Sequence, residues 1–115
     1  MSMILIPPQT ASEFTPFAPV GVPVGEVVAT SRTAHHTVVE NSGVSVGVWE
    51  CTEGSFRRQI MQAEYSYFIE GAGSFTPDGE EPIDFKAGDS VFFSANTNGL
   101  WKISERVRKS YIIIG

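Results

Sequence analysis

A single cysteine, Cys51, leaves the 115-residue chain unable to close an internal disulfide, so its stability has to come from a packed core. Basic residues are scarce as well. Eight lysines and arginines against thirteen acidic residues give a net charge of −5, and such a surface argues against nucleic acid as a partner. Long apolar runs are missing. The opening MSMILIPPQ has no basic lead and only a short apolar stretch, so neither a secretory signal nor a membrane span is expected. A cytoplasmic protein without a membrane partner is the expectation. The chain also lacks a G-x-S-x-G elbow, a P-loop and a G-x-G-x-x-G phosphate loop; the two glycines of EGAGSF stand in a strand–turn–strand setting, the wrong context for cradling phosphate. Helical periodicity is missing throughout.

What is present is alternation. Residues 1–30 carry five of the seven prolines (Pro7, Pro8, Pro16, Pro19, Pro23), which cannot donate to a sheet ladder. They are expected to form an extended arm of the same domain, with an edge segment at Val24–Ala29. From residue 31 to 115, short alternating runs end at turn residues: VSVGVWEC before TEG, EYSYFIE before GAG, GSFTP before the Asp78-Gly79 hairpin signal, and SVFFSA before NTNG. About eight strands roughly ten residues apart predict an all-β sandwich or barrel in one domain.

The order of these turns carries a resemblance. Glu64, six residues and Gly71, followed by AGDSVFFSAN (Ala87–Asn96), is similar to the paired motifs of the cupin superfamily. GVWECTEGSFRR, YFIEG, GDSVFF, LWKI and VRKSYII together resemble small single-domain cupins of the ethanolamine-utilisation and ureidoglycine aminohydrolase-related group (DUF861-like), over Ser42 to Ile114. The resemblance implies a double-stranded β-helix, the cupin jelly-roll barrel, and a homodimer.

A metal-binding cupin uses two histidines, a glutamate and a third histidine. Counting back from Glu64 places the first pair on Arg58 and Ile60, or on Arg57 and Gln59, and the third histidine position falls on Gly99. Only Glu64 remains of four ligands, so no standard metal centre and no cofactor is expected. A rebuilt divalent-metal site would draw on His35 or His36 with Gln59 and Glu64. Adjacent strand residues point to opposite faces, so at most one of the two histidines faces the barrel.

Inside a barrel Glu64 needs a partner, because a buried unpaired carboxylate is costly. Arg57, Arg58 and Lys109 are the candidate cations. Trp101 shares the face of Gly99, and is expected to fill the space of the missing histidines or to wall a ligand pocket. Lys109 and Tyr111 share one face of the last strand and could place a polar pair at the cavity. Tyr65, Tyr67, Phe92 and Phe93 are expected in the core, and Cys51 buried and inert. The leading expectation is a pocket for a small polar metabolite, with ethanolamine, polyamine or ureide metabolism suggested by resemblance alone. An enzyme, with a rebuilt metal site or Glu64 as general base, and an assembly subunit are the alternatives. The arm is expected to lie along a neighbour in the homodimer.

Overall fold

One 18-residue strand organises the molecule. In the computed structural model, which describes residues 3–115, the chain runs through β1 (Ala18–Pro19), β2 (Val22–Val24), β3 (Thr30–Val39), β4 (Val44–Cys51), β5 (Gly54–Ile60), β6 (Ala63–Pro77), β7 (Ile83–Lys86), β8 (Ser90–Phe93) and β9 (Thr97–Ile114). The first half of β9 pairs with β5, from Ile60↔Thr97 to Gly54↔Ile103, and its second half pairs with β4, from Cys51↔Val107 to Val44↔Ile114. Along its other edge β9 pairs with β6 throughout, from Ala63↔Ile114 to Pro77↔Gly99. The β6–β9 ribbon therefore belongs to both walls. Strands β3, β4 and β8 complete one wall, and β2, β5 and β7 the other. This is an all-β jelly-roll barrel.

The ribbon bends where its register slips, between Phe68 and Gly73 of β6. Gly71, the motif glycine seven positions after Glu64, sits at this corner with φ +87, and a Cβ there would collide with the Arg106 carbonyl. Only glycine meets both demands, the left-handed backbone and the close crossing strand.

Between the walls lie Cys51, Phe56, Phe68, Phe75, Phe85, Phe93, Trp101, Ile103 and Val107, all buried. They come from alternate positions of their strands, as a half-buried sheet requires. Phe68 and Phe85 stack with centroids 4.0 Å apart, and Phe75 meets Trp101 at 5.0 Å. Each buried aromatic contributes about 1.5–3 kcal/mol of transfer free energy.

The proline-rich arm lies along its own barrel: β1 extends the β3 edge, and β2 extends the β5 edge through Val22↔Arg57 and Val24↔Ser55. Pro23 is tolerated because β2 is an edge. The edge strand is thus Val22–Val24, and of the expected Val24–Ala29 segment only Val24 belongs to it, since Gly25 turns the backbone with φ +90. Met1 and Ser2, the first positions of the predicted arm, lie outside the described residues.

Phe93 takes its expected core place, but Tyr65, Tyr67 and Phe92 do not. They lie on the outer surface, 44%, 45% and 59% exposed. Alternation made the tyrosines the more apolar face of β6, but the structure turns the other face, with Glu64, Ser66 and Phe68, into the barrel.

Under the arm lies a feature the sequence reading did not anticipate. Glu50, on the outer face of β4, is 1% exposed and accepts hydrogen bonds from Arg32 at 2.9 Å and Arg108 at 2.7 Å, with Arg106 at 3.5 Å. The arm's Phe14 and Phe17 cover the guanidinium groups, with Arg32 4.4 Å from the Phe14 centroid and 4.3 Å from that of Phe17.

Candidate active site

Parity along β9 aims Lys109 and Tyr111 into the barrel, and parity along β6 aims Glu64 and Ser66 at the same space, through the pairs Phe68↔Lys109 and Ser66↔Tyr111. Glu64, Lys109 and Tyr111 border a cavity of about 510 Å³, lined also by His36, Trp49, Arg58, Gln59, Ile60 and Trp101, while Ser66 is buried behind Glu64. Gly47 makes room for the Tyr111 ring, because a Cβ at that position would strike the phenol.

The centre of the site is an ion pair. Lys109 Nζ donates to Glu64 Oε2 at 2.5 Å, and the Ser66 hydroxyl donates to the same oxygen at 2.8 Å. Among the described residues no group donates to Glu64 Oε1, which leaves that oxygen available to a ligand. Of the three cations proposed as partners for Glu64, the structure selects Lys109. Lys109 is 4% exposed, and its ammonium lies 5.0–5.8 Å from the ring centroids of Trp49, Phe68, Phe93 and Trp101. Burial pulls the Lys109 pKa down more strongly than the charge and hydrogen bond of Glu64 push it up, so it falls below the ordinary 10.5. Burial, aided by the charge of Glu64, pushes Tyr111 up to about 12, and its hydroxyl pairs with His36 Nδ1 at 2.7 Å.

Arg58 lines the cavity and has no ion-pair partner among the described residues. Arg57 does not belong to the cavity wall. Alternation along β5 turns it outward, where it binds Asp78 at 2.7 Å. A β-bulge, not alternation, decides between the histidines: Ser31 and Thr33 face the cavity, and the register shift between Ala34 and Thr37 brings His36 to their side. His36 faces the cavity, while His35, at a β-bulge with φ +54, points away and meets Glu13 at 2.9 Å. His35 is therefore excluded from a rebuilt metal set. The remaining candidates are His36, already bound to Tyr111, Gln59 at the cavity border, and Glu64, already bound to an ammonium. Among the described residues no three His, Cys, Asp or Glu side chains gather to hold a metal ion. These donors do not fit a cupin metal centre.

Gly99 shows why the third histidine position is closed. A Cβ there would run into the Phe75 ring and come within 2.7 Å of the Thr76 carbonyl oxygen. Phe75, rather than Trp101, fills the space beside Gly99. Trp101 stands between core and cavity, and its indole N–H has no acceptor among the described residues.

Comparison with known families finds that residues 39–111 match the family described as the EutQ-like cupin domain. The chain belongs to the EutQ-like cupin family. Among solved structures, this cupin is similar to the Clostridium difficile EutQ protein, at 17% identity over 75% of this chain and 68% of that one, with a TM-score of 0.65. A DUF861 family protein from Thermotoga maritima shares 30% identity over 56% of this cupin and 73% of its own length, with a TM-score of 0.54. Ectoine synthase from P. lautus shares 16% identity over 80% of this cupin and 67% of its own length, with a TM-score of 0.60. At the identities of the EutQ protein and ectoine synthase the likeness carries the fold alone. No curated protein matches the sequence. No helix among the described residues is long and apolar enough to cross a membrane.

Proposed function

We propose that this cupin binds a small polar metabolite bearing an anionic group in the barrel cavity, without the standard cupin metal centre. The observation that carries the reading is the buried Lys109 ammonium at the cavity wall, tethered by Glu64, the one ligand position of the cupin motif that this chain keeps. Arg58, without an ion-pair partner among the described residues, supplies a second positive group for the ligand's anion, and Glu64 Oε1 offers an acceptor to a donor on the ligand. Trp49 and Trp101 provide the apolar wall that small-molecule sites use to exclude water.

A thermal-shift screen of small carboxylates, amines and ureides tests this. A ligand at about a hundred times its dissociation constant should stabilise the protein by about 2.7 kcal/mol, and Arg58→Met should weaken that gain. Metal analysis of protein purified without chelator should find no stoichiometric transition metal. About one Zn, Mn, Fe or Ni per chain, lost in Glu64→Gln, would replace this reading with that of a metal enzyme.

The assembly reading has its own observation. Register places Phe92, Tyr65, Ile112 and Val46 in one continuous row across β8, β6, β9 and β4, and the row carries no charge on the barrel's outer face. A second copy of the chain is the proposed occupant, and the partner lies against this face rather than along the arm. Light scattering at micromolar concentration should report a dimer, and Tyr65→Lys with Phe92→Lys should yield monomers; a monomeric wild type would refute it.

A further inference from the structure

We infer that Lys109 is an imine-forming amine, which condenses its Nζ with the carbonyl carbon of a small carboxylate-bearing aldehyde or 2-oxo acid held in the cavity. This rests on the proposed cavity reading and specifies what the ligand's reactive group would be.

Three features of the site support it. First, Nζ stands at the cavity wall with one polar partner among the described residues, Glu64 Oε2, and aromatic rings around it. A lysine in such surroundings gives up its proton more readily than one in water, and the lowered Lys109 pKa agrees in direction. Second, the proton has somewhere to go. The 2.5 Å hydrogen bond leads directly to a carboxylate that Ser66 holds in place. Third, Arg58 lines the same cavity and can fix the ligand's carboxylate, which orients the carbonyl carbon toward the amine.

The chemistry balances with these groups alone. The ammonium passes one proton to Glu64 Oε2, and the freed lone pair of Nζ attacks the carbonyl carbon. A C–N bond forms while the C=O π bond opens, and the oxygen takes the proton from Glu64. The nitrogen of the resulting carbinolamine returns a proton to the carboxylate. Glu64 then protonates the hydroxyl, the C–O bond breaks, and water leaves a protonated imine on Lys109. Glu64 ends as it began, ionised, and the positive charge stays on nitrogen beside it. No oxidant or metal is consumed.

The chain has three lysines, Lys86, Lys102 and Lys109, so the site of reaction can be read without ambiguity. Wild-type protein would be incubated with glyoxylate and sodium cyanoborohydride, which reduces the imine to a stable secondary amine, and each lysine peptide followed by mass spectrometry. The expected result is saturable labelling at Lys109, about tenfold or more faster than at the solvent-facing Lys86 and Lys102, because Arg58 holds the carboxylate beside it and its pKa is lowered, whereas labelling of the amino terminus should rise linearly with glyoxylate without saturating. Acetaldehyde, without a carboxylate, should label Lys109 more slowly, and Arg58→Met should erase the preference for glyoxylate. Equal labelling of all amines, or none at Lys109, overturns the inference. If non-carbonyl carboxylates such as acetate still raise the melting temperature in an Arg58-dependent way, the cavity reading stands while the imine falls. If neither labelling nor stabilisation occurs, both fall. Because the wild-type protein supplies the decisive readout, no variant has to fold for the test to count.

Discussion

Glu50→Ala should cost about 3–5 kcal/mol of stability, the range for removing one partner of a buried ionic network. The Glu50 side chain is 2% exposed, and it is the shared anion of Arg32, Arg108 and, more distantly, Arg106. Its loss leaves three guanidinium groups facing one another beneath Phe14 and Phe17. Urea unfolding monitored by tryptophan fluorescence would read the cost, and a change within about half a kcal/mol would show that the network is solvated and idle. The arm should become sensitive to protease at the same time, because its two aromatic rings rest on the arginines that Glu50 holds. The pH dependence has a definite sign. Burial alone would raise the Glu50 pKa, but hydrogen bonds from Arg108 and Arg32 and the charges of both bring it below 4.5. Its contribution is therefore complete above pH 4.5 and lost as pH falls through the lower folded value, so the acid limb of the wild type should be steeper than that of Glu50→Gln.

The second large effect is expected at Glu64. Glu64→Gln strips the Lys109 ammonium of the carboxylate it donates to, inside a wall of aromatic rings, and should also cost about 3–5 kcal/mol near neutral pH. The deficit should shrink as pH rises toward the ordinary lysine value of 10.5, since the unpaired lysine, with its pKa lowered further by burial, becomes neutral and stops demanding a counter-charge. Combining Glu64→Gln with Lys109→Met should cost less than the sum of the single changes, with a coupling of about 1–3 kcal/mol. Arg57→Met should instead add to Glu64→Gln, because Arg57 is occupied by Asp78 on the other side of β5. Coupling to Arg57 and none to Lys109 would contradict the geometry of the site.

How much of this could be read from sequence varies from residue to residue. The jelly roll was legible because turn glycines punctuate alternating runs, and Gly71 meets a demand that no other residue satisfies. The need of Glu64 for a cation followed from the cost of burying a carboxylate, but the choice among Arg57, Arg58 and Lys109 depended on strand register, which alternation does not supply. Parity allowed only one of His35 and His36 to face the cavity, but the choice of His36 depended on a bulge in β3 that no local signal announced; along β5 parity could have separated Arg57 from Arg58. Glu50 was overlooked although it shares parity with Val44, Val46 and Val48. Only the Val48–Glu50 end of that face is buried, where the arm folds back beside it, and no local pattern in a proline-rich segment tells where it will lie. Tyr65, Tyr67 and Phe92 were misplaced for another reason: β6 turns its more polar face, with Glu64 and Ser66, inward to the cavity, against the rule that the apolar face is the buried one.

The contact between Gly99 and Phe75 bears on the history such a barrel can have. Introducing a histidine at position 99 by one substitution would force a side chain into the Phe75 ring. Shrinking Phe75 first would open a hole beside Trp101 and Phe93, at about 3–5 kcal/mol, a large share of what a domain of this size can lose. Either order passes through an intermediate that is overpacked or hollow. With a phenylalanine packed against that glycine, no single substitution supplies a histidine at position 99. Selection on the cavity is then left to work with the ammonium and carboxylate already there.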